Sequence, residues 1–169
     1  MIRPHINLSM RFAVIVFCSI YYTLVNAESL IGRVVAIADG DTITILDSSN
    51  LQHKIRLTGI DAPEKKQAFG QLSKQHLADL VFDRVVTIEW LKKDRYKRTL
   101  GKVIANGQDV NLEQLKTGLA WHYKQYEREQ PPTDRLEYAE AEDNARSKHI
   151  GLWRDTSPVP PWEFRHQNK

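Results

Sequence analysis

Two periodicities divide the chain. Apolar residues alternate with polar ones through most of the stretch from Leu30 to Ala105, and they recur at three- and four-residue spacing in the segments that interrupt and follow it. The alternation predicts strands at Leu30–Ile37, which runs out at Asp39-Gly40, and at Asp41–Leu46, which runs out at the turn cluster Asp47–Asn50. Lys54–Ile60 alternates again, with Ile55 and Leu57 on one face and Lys54 and Arg56 on the other. Val85–Trp90 and Leu100–Ala105 complete five strands, the last closing at Asn106-Gly107.

Helical spacing predicts a helix over Gly70–Val81, with Phe69, Leu72, His76 and Leu80 as its apolar face. Asn111 is a candidate N-cap for a short helix that buries Leu112 and Leu115 and stops at Gly118. A third helix starts after Pro131-Pro132-Thr133 and ends near Gly151, and residues 156–169 form a proline-rich C-terminal tail laid over the surface. Five strands and three helices in this order predict a mainly β, α+β domain: a small β-barrel braced by helices. A barrel pairs its own edges, so a chain of this size holds together without disulfides.

The N-terminus follows a different pattern. Met1–Arg11 carries two arginines and no acid, Phe12–Leu24 is predominantly apolar, and Val25-Asn26-Ala27 places small residues before a cleavage point. This is the layout of a secretory signal peptide, and the apolar run is short of the ~20 residues that span a bilayer. The expected organisation is a signal peptide over residues 1–27, a folded domain over 28–155 and the tail. The expected destination is the periplasm or the medium, with membrane association only if the segment stays uncut. Removing Met1–Ala27 takes the formal charge from +3 to about +1, so bulk charge does not point to a nucleic-acid partner. It also removes Cys18, the only cysteine, which by itself excludes a disulfide framework and a multi-cysteine zinc site.

Candidate chemistry is concentrated between Asp39 and Glu64. Asp39-Gly40-Asp41-Thr42 occupies a hairpin turn, Arg56 projects from the next strand, and Asp61-Ala62-Pro63-Glu64 follows that strand's end. The carboxylates of Asp41, Asp61 and Glu64, held close together, repel one another unless a cation sits among them. Oxygen donors without sulfur or imidazole suit a hard cation, and Arg56 supplies the donor that a phosphate needs. Singly, Asp39 and Asp61 read as ordinary turn residues.

The spacing of the whole set resembles the first signature of the staphylococcal nuclease family: Asp39-Gly40-Asp41-Thr42-Ile43, then Arg56-Leu57, then Ile60-Asp61, Pro63 and Glu64. Asp94-Arg95-Tyr96-Lys97-Arg98 resembles the second, and the likeness continues through Gly118-Leu119-Ala120 to Gly151-Leu152-Trp153. The resemblance implies an OB-fold five-stranded barrel with three helices and a Ca²⁺-dependent endonuclease acting on DNA and RNA. It implies attack at phosphorus with departure of the 5′-oxygen, leaving 3′-phosphates. By position it implies Asp41, Asp61 and the Ala62 carbonyl as metal ligands. Glu64 would activate or position the attacking water, and Arg56 and Arg98 would bind the phosphate. It also implies Arg95 and Tyr96 on a neighbouring phosphate and Tyr123 against a base.

Three departures stand out. Ala62 replaces the usual Thr, Lys97 replaces the usual Gly, and the loop from Glu64 to Gly70 is short. Lys97 is expected in a right-handed turn, forming one basic edge with Arg95 and Arg98. Lys92, Lys93 and Lys102 extend that basic stretch, and Trp121, Tyr123 and Tyr126 interleave with His122 and Lys124 in a pattern suited to stacking. The expected protein is a monomeric enzyme. The rival is a catalytically silent OB-fold module that binds single strands, for which a carboxylate such as Glu64 beside phosphate has no use.

Overall fold

The alternating β-branched residues build one continuous sheet that bends until its ends meet. A computed structural model describes residues 28–167; the expected signal peptide lies outside the described residues. Strand β1 (Glu28–Asp39) is long enough to pair antiparallel with both β2 (Thr42–Leu46) and β5 (Val85–Lys93), and its register shifts between Val34 and Ala36 and between Ile37 and Asp39. Such bulges bend a strand and increase its twist. β2 pairs with β3 (Gln52–Leu57), and β5 pairs with β6 (Thr99–Ala105), both antiparallel. β6 then lies parallel to β3, Arg56 opposite Leu100, and this pairing closes the five strands into a barrel. The expected α+β barrel is the observed one.

Inward positions fill the barrel. Ile43, Ile45, Ile55 and Ile88 are wholly buried, with Val34, Leu57 and Val103 beside them. Each such side chain contributes about 1.5–3 kcal/mol relative to exposure. Helices α1 (Gly70–Val81), α2 (Val110–Lys116) and α3 (Pro132–Ser147) close the barrel with Leu77, Val81, Val110, Leu115 and Tyr138. Trp121, Ala145, Leu152 and Trp153 form a second cluster, with Phe69 and Trp162 packed against it. No helix among the described residues is long and apolar enough to cross a membrane.

Beyond shifted ends, as where α3 begins at Pro132 and stops at Ser147 rather than near Gly151, the elements differ from expectation at four places. The strand expected over Lys54–Ile60 breaks at Thr58-Gly59; beyond it, β4 (Ile60–Asp61) pairs with β8 (Trp121–His122) after the short β7 (Gln108–Asp109). α1 has the expected bounds, but its buried face is Gly70, Ser73, Leu77 and Val81, while Leu72 is 53% exposed. Ser73 disguises that face: it is interior because its hydroxyl donates to the Leu119 carbonyl at 2.7 Å. Asn111 is not a cap. Asp109 caps α2 by accepting from the Leu112 amide, and Asn111 is buried, accepting from Val103 N and donating to the carbonyls of Thr58 and Gly101. The tail carries a fourth α-helix, α4 (Pro161–Gln167), where three were expected.

Candidate active site

The turn between β1 and β2 is clamped from below. Gln114 of α2 donates to the Gly40 carbonyl at 2.6 Å, and a Cβ on Gly40 would lie 1.9 Å from the Ser73 hydroxyl. Glycine is therefore required by the close approach of α1 to the turn. This clamp aims Asp41 inward: its Oδ2 accepts from the Ala62 amide at 2.6 Å, and its Oδ1 from the Thr42 hydroxyl. The β4–β8 pairing holds Asp61 in turn, opposite Trp121.

Arg56 enters from β3 between the two aspartates. Its Nη2 donates to Asp61 Oδ1 at 2.8 Å, and its Nη1 lies 2.5 Å from Asp41 Oδ2 without hydrogen-bond geometry. Asp61 is 1% exposed and the Arg56 side chain 13%. Burial pushes the Asp41 carboxyl up, with Asp39 and Asp61 adding to the rise and Arg56 opposing it. The same aspartates hold the Arg56 guanidinium above its ordinary value, against burial. Two crowded, buried carboxylates thus require positive charge.

A second guanidinium, not anticipated from the sequence, supplies more. Arg165 of α4 grips Asp61 with a fork, Nη2 to Oδ2 at 2.8 Å and Nη1 to Oδ1 at 3.2 Å, and Nη1 also donates to Glu64 Oε1 at 2.8 Å. Asp61 and Glu64 raise the Arg165 pKa against the opposing effect of burial. Trp162, one turn earlier, stacks on Tyr123 with ring centroids 5.5 Å apart and meets Trp121 edge-on at 5.6 Å. Gln67 ties the short loop to the same segment, accepting from Glu64 N and donating to the Val159 carbonyl. A signal for α4 was present: Pro161 opens it, Glu163 stands in its first turn, and Arg165 and His166 in its last, the charge order a helix dipole favours.

Arg98 is placed elsewhere. It closes the β5–β6 hairpin, where Asp94 accepts from the amides of Tyr96 and Arg98 and from Arg98 Nε at 2.8 Å. Tyr96 is 65% exposed, with Arg95 over its ring at 4.9 Å and Arg98 at 5.5 Å. Lys97 has φ of 63°, so the expected right-handed turn is wrong. The Lys97 amide donates to the Asp94 carbonyl, and the next residue must swing back to pair Arg98 with Asp94, which calls for a left-handed residue there. The basic stretch is also less uniform than its sequence: Lys92 pairs with Glu129, and Lys102 with Asp134. Trp121 is buried, Tyr123 is half-buried and Tyr126 is exposed at its edge.

The structure therefore brings together Asp41, Asp61, Glu64 and Arg56, with Ala62 contributing its amide, and sets Tyr123 beside them against Trp162. It leaves Arg95, Tyr96 and Arg98 on the neighbouring hairpin. No group of three or more His, Cys, Asp or Glu forms a ready metal cage among the described residues. Asp41 and Asp61 nonetheless fit a hard cation, being adjacent oxygen donors whose charge is in need of compensation.

A closed five-stranded barrel with an acid–guanidinium cluster at one end defines the class: an OB-fold protein with a charged site rather than a bare stacking face. Residues 54–155 match the family model described as staphylococcal nuclease homologue, and the chain belongs to that family. An uncharacterized endonuclease of Haemophilus influenzae is 50% identical over 137 residues, covering 81% of this chain and 74% of that protein. One of Escherichia coli O157:H7 is 44% identical, over 80% and 85%. The micrococcal nuclease of Shigella flexneri is 42% identical over 147 residues, 82% of each chain.

Proposed function

We propose that the protein is an exported, Ca²⁺-dependent endonuclease that hydrolyses phosphodiester bonds in DNA and RNA. The observation that carries this reading is the convergence of Asp41 and Asp61 on Arg56 at the end of an OB-fold barrel, with Glu64 joined to Asp61 through Arg165. Family membership and relatives named as nucleases support it. Asp41 and Asp61, with the Ala62 carbonyl, would hold the cation, which when bound supplies Lewis-acid stabilisation of charge on the phosphate.

The chain's own groups divide the remaining work. Arg56 offers donors to the phosphate oxygens where negative charge accumulates; removal of one such donor typically costs ~2.7–4 kcal/mol of barrier. Arg98 swings from Asp94 to a second oxygen, while Arg95 and Tyr96 hold the next phosphate. Glu64 accepts a proton from the attacking water as its oxygen bonds to phosphorus. The bond to the 5′-oxygen breaks, that oxygen takes up a proton, and the phosphate stays on the 3′ side. Tyr123 stacks on the adjacent base.

Glu64→Gln is expected to lower cleavage of plasmid and RNA by ~10²-fold or more while retaining binding, because it keeps shape and removes a charge that repels phosphate. Unchanged turnover would remove the role of Glu64, full wild-type activity in chelator would remove the metal, and binding without cleavage by the wild type would favour a silent binding module. Intact mass of the exported protein tests the export assignment, with Glu28 expected at or near the start.

A further inference from the structure

We propose that Arg165 sets the cation affinity of this site by occupying the charge position at Asp61 that a divalent cation takes, so that docking of α4 and cation binding exclude one another. The inference rests on the metal-dependent reading above. Both oxygens of Asp61 are engaged by guanidinium groups: Oδ2 by Arg165, and Oδ1 by Arg56 and Arg165 together. A cation ligated through Asp61 must take an oxygen that Arg165 now holds. The same guanidinium engages Glu64, the carboxylate assigned to accept the proton of water.

Helix α4 holds its shape only through its contacts with the domain. It has seven residues, far fewer than the roughly 12–15 that a helix needs for stability in isolation, so its structure depends on docking. Its contacts with the domain come from one short segment and include Trp162 on Tyr123 and Trp121, Arg165 on the acids, Gln67 on the Val159 carbonyl, the buried Pro161, and Phe164 in the cleft beside Phe69 and Trp121. Arg165 is 40% exposed, whereas Arg56 is locked between two strands. The helix that neutralises the acids also covers the face of Tyr123 with Trp162. Cation entry therefore frees Glu64 and uncovers Tyr123 in one event, and by reciprocity the docked helix weakens the cation by the factor by which the cation loosens the helix.

The test is calorimetric titration of the full chain with CaCl₂, beside Arg165→Gln, Arg165→Lys and Asp61→Asn, and hydrogen exchange of residues 161–167 with and without Ca²⁺. Arg165→Gln is expected to bind Ca²⁺ about tenfold tighter, equivalent to about 1.4 kcal/mol. Arg165→Lys should lie closer to wild type because it restores the charge without the fork. Saturating Ca²⁺ should raise exchange across 161–167 in the wild type. Equal or weaker Ca²⁺ binding by Arg165→Gln, or unchanged protection of 161–167, overturns the Arg165 assignment alone, provided Asp61→Asn abolishes binding. Absence of Ca²⁺ binding by every form overturns it together with the metal-dependent function.

Discussion

Arg56 and Arg98 belong to two similar-looking stretches of sequence, each pairing a turn aspartate with an arginine, yet the fold treats them in opposite ways. Arg56 is fixed by tertiary structure: its partners come from the β1–β2 turn and from β4, and both aspartates are buried. Arg98 is fixed by local structure, its partner Asp94 lying four residues away in the same exposed hairpin. A guanidinium held between distant elements is part of the framework, whereas one held within its own turn can move to a ligand at little cost. The difference shows that a shared motif does not imply a shared degree of preorganisation.

The contrast has measurable consequences. Arg56→Ala leaves Asp41 and Asp61 crowded in the interior without the charge between them. It should lower unfolding free energy by about 3–5 kcal/mol in urea titrations, and a loss under 1 kcal/mol would show that Arg56 is not their counter-charge. Lys97→Gly should act in the other direction, raising stability by about 1 kcal/mol, because glycine adopts the left-handed backbone that Lys97 now adopts under strain. Destabilisation by Lys97→Gly would mean that the lysine side chain supports the hairpin by more than the strain it imposes. Arg98→Ala should change stability by about 1 kcal/mol, the upper end for surface ion pairs because both side chains are part-buried, while lowering cleavage far more than its thermal shift explains.

The smallest effect is a pH dependence. Burial acts to raise the Asp94 pKa, but bonds from the Arg98 side chain and backbone more than offset this and hold it below the ordinary value of 3.8. A depressed carboxyl stabilises the fold above its unfolded pKa, and that contribution fades as pH falls through the folded one. The melting temperatures of wild type and Asp94→Asn should therefore converge as pH drops below about 4. A constant gap down to pH 2 would show that the Asp94 charge plays no part.

What the sequence disclosed follows the range of the forces involved. The strands and the bounds of α1 were legible because alternation and helical spacing are local patterns of apolar residues. The inward face of α1 was misjudged because Ser73 is interior for a reason 46 residues away, its bond to Leu119. Asn111 looked like a cap because its type suits caps, and only the fold shows that its amide bridges β6 and the loop at Thr58. Asp41, Asp61, Glu64 and Arg56 could be gathered from a hairpin pattern. Arg165 could not, since more than 100 residues separate it from Asp61 and Glu64.

The parallel pairing of β3 with β6 also governs when this molecule can come into being. A nascent chain can form the β1–β2–β3 meander early, but that sheet has no partner for β3's outer edge until Thr99–Ala105 has been synthesised. Ring closure across so many intervening residues is slow relative to local hairpins, because the loop entropy is spent before the contacts return it. The precursor is then an open sheet whose β3 edge stays unpaired, a template for pairing with another chain, until β6 arrives to cover it.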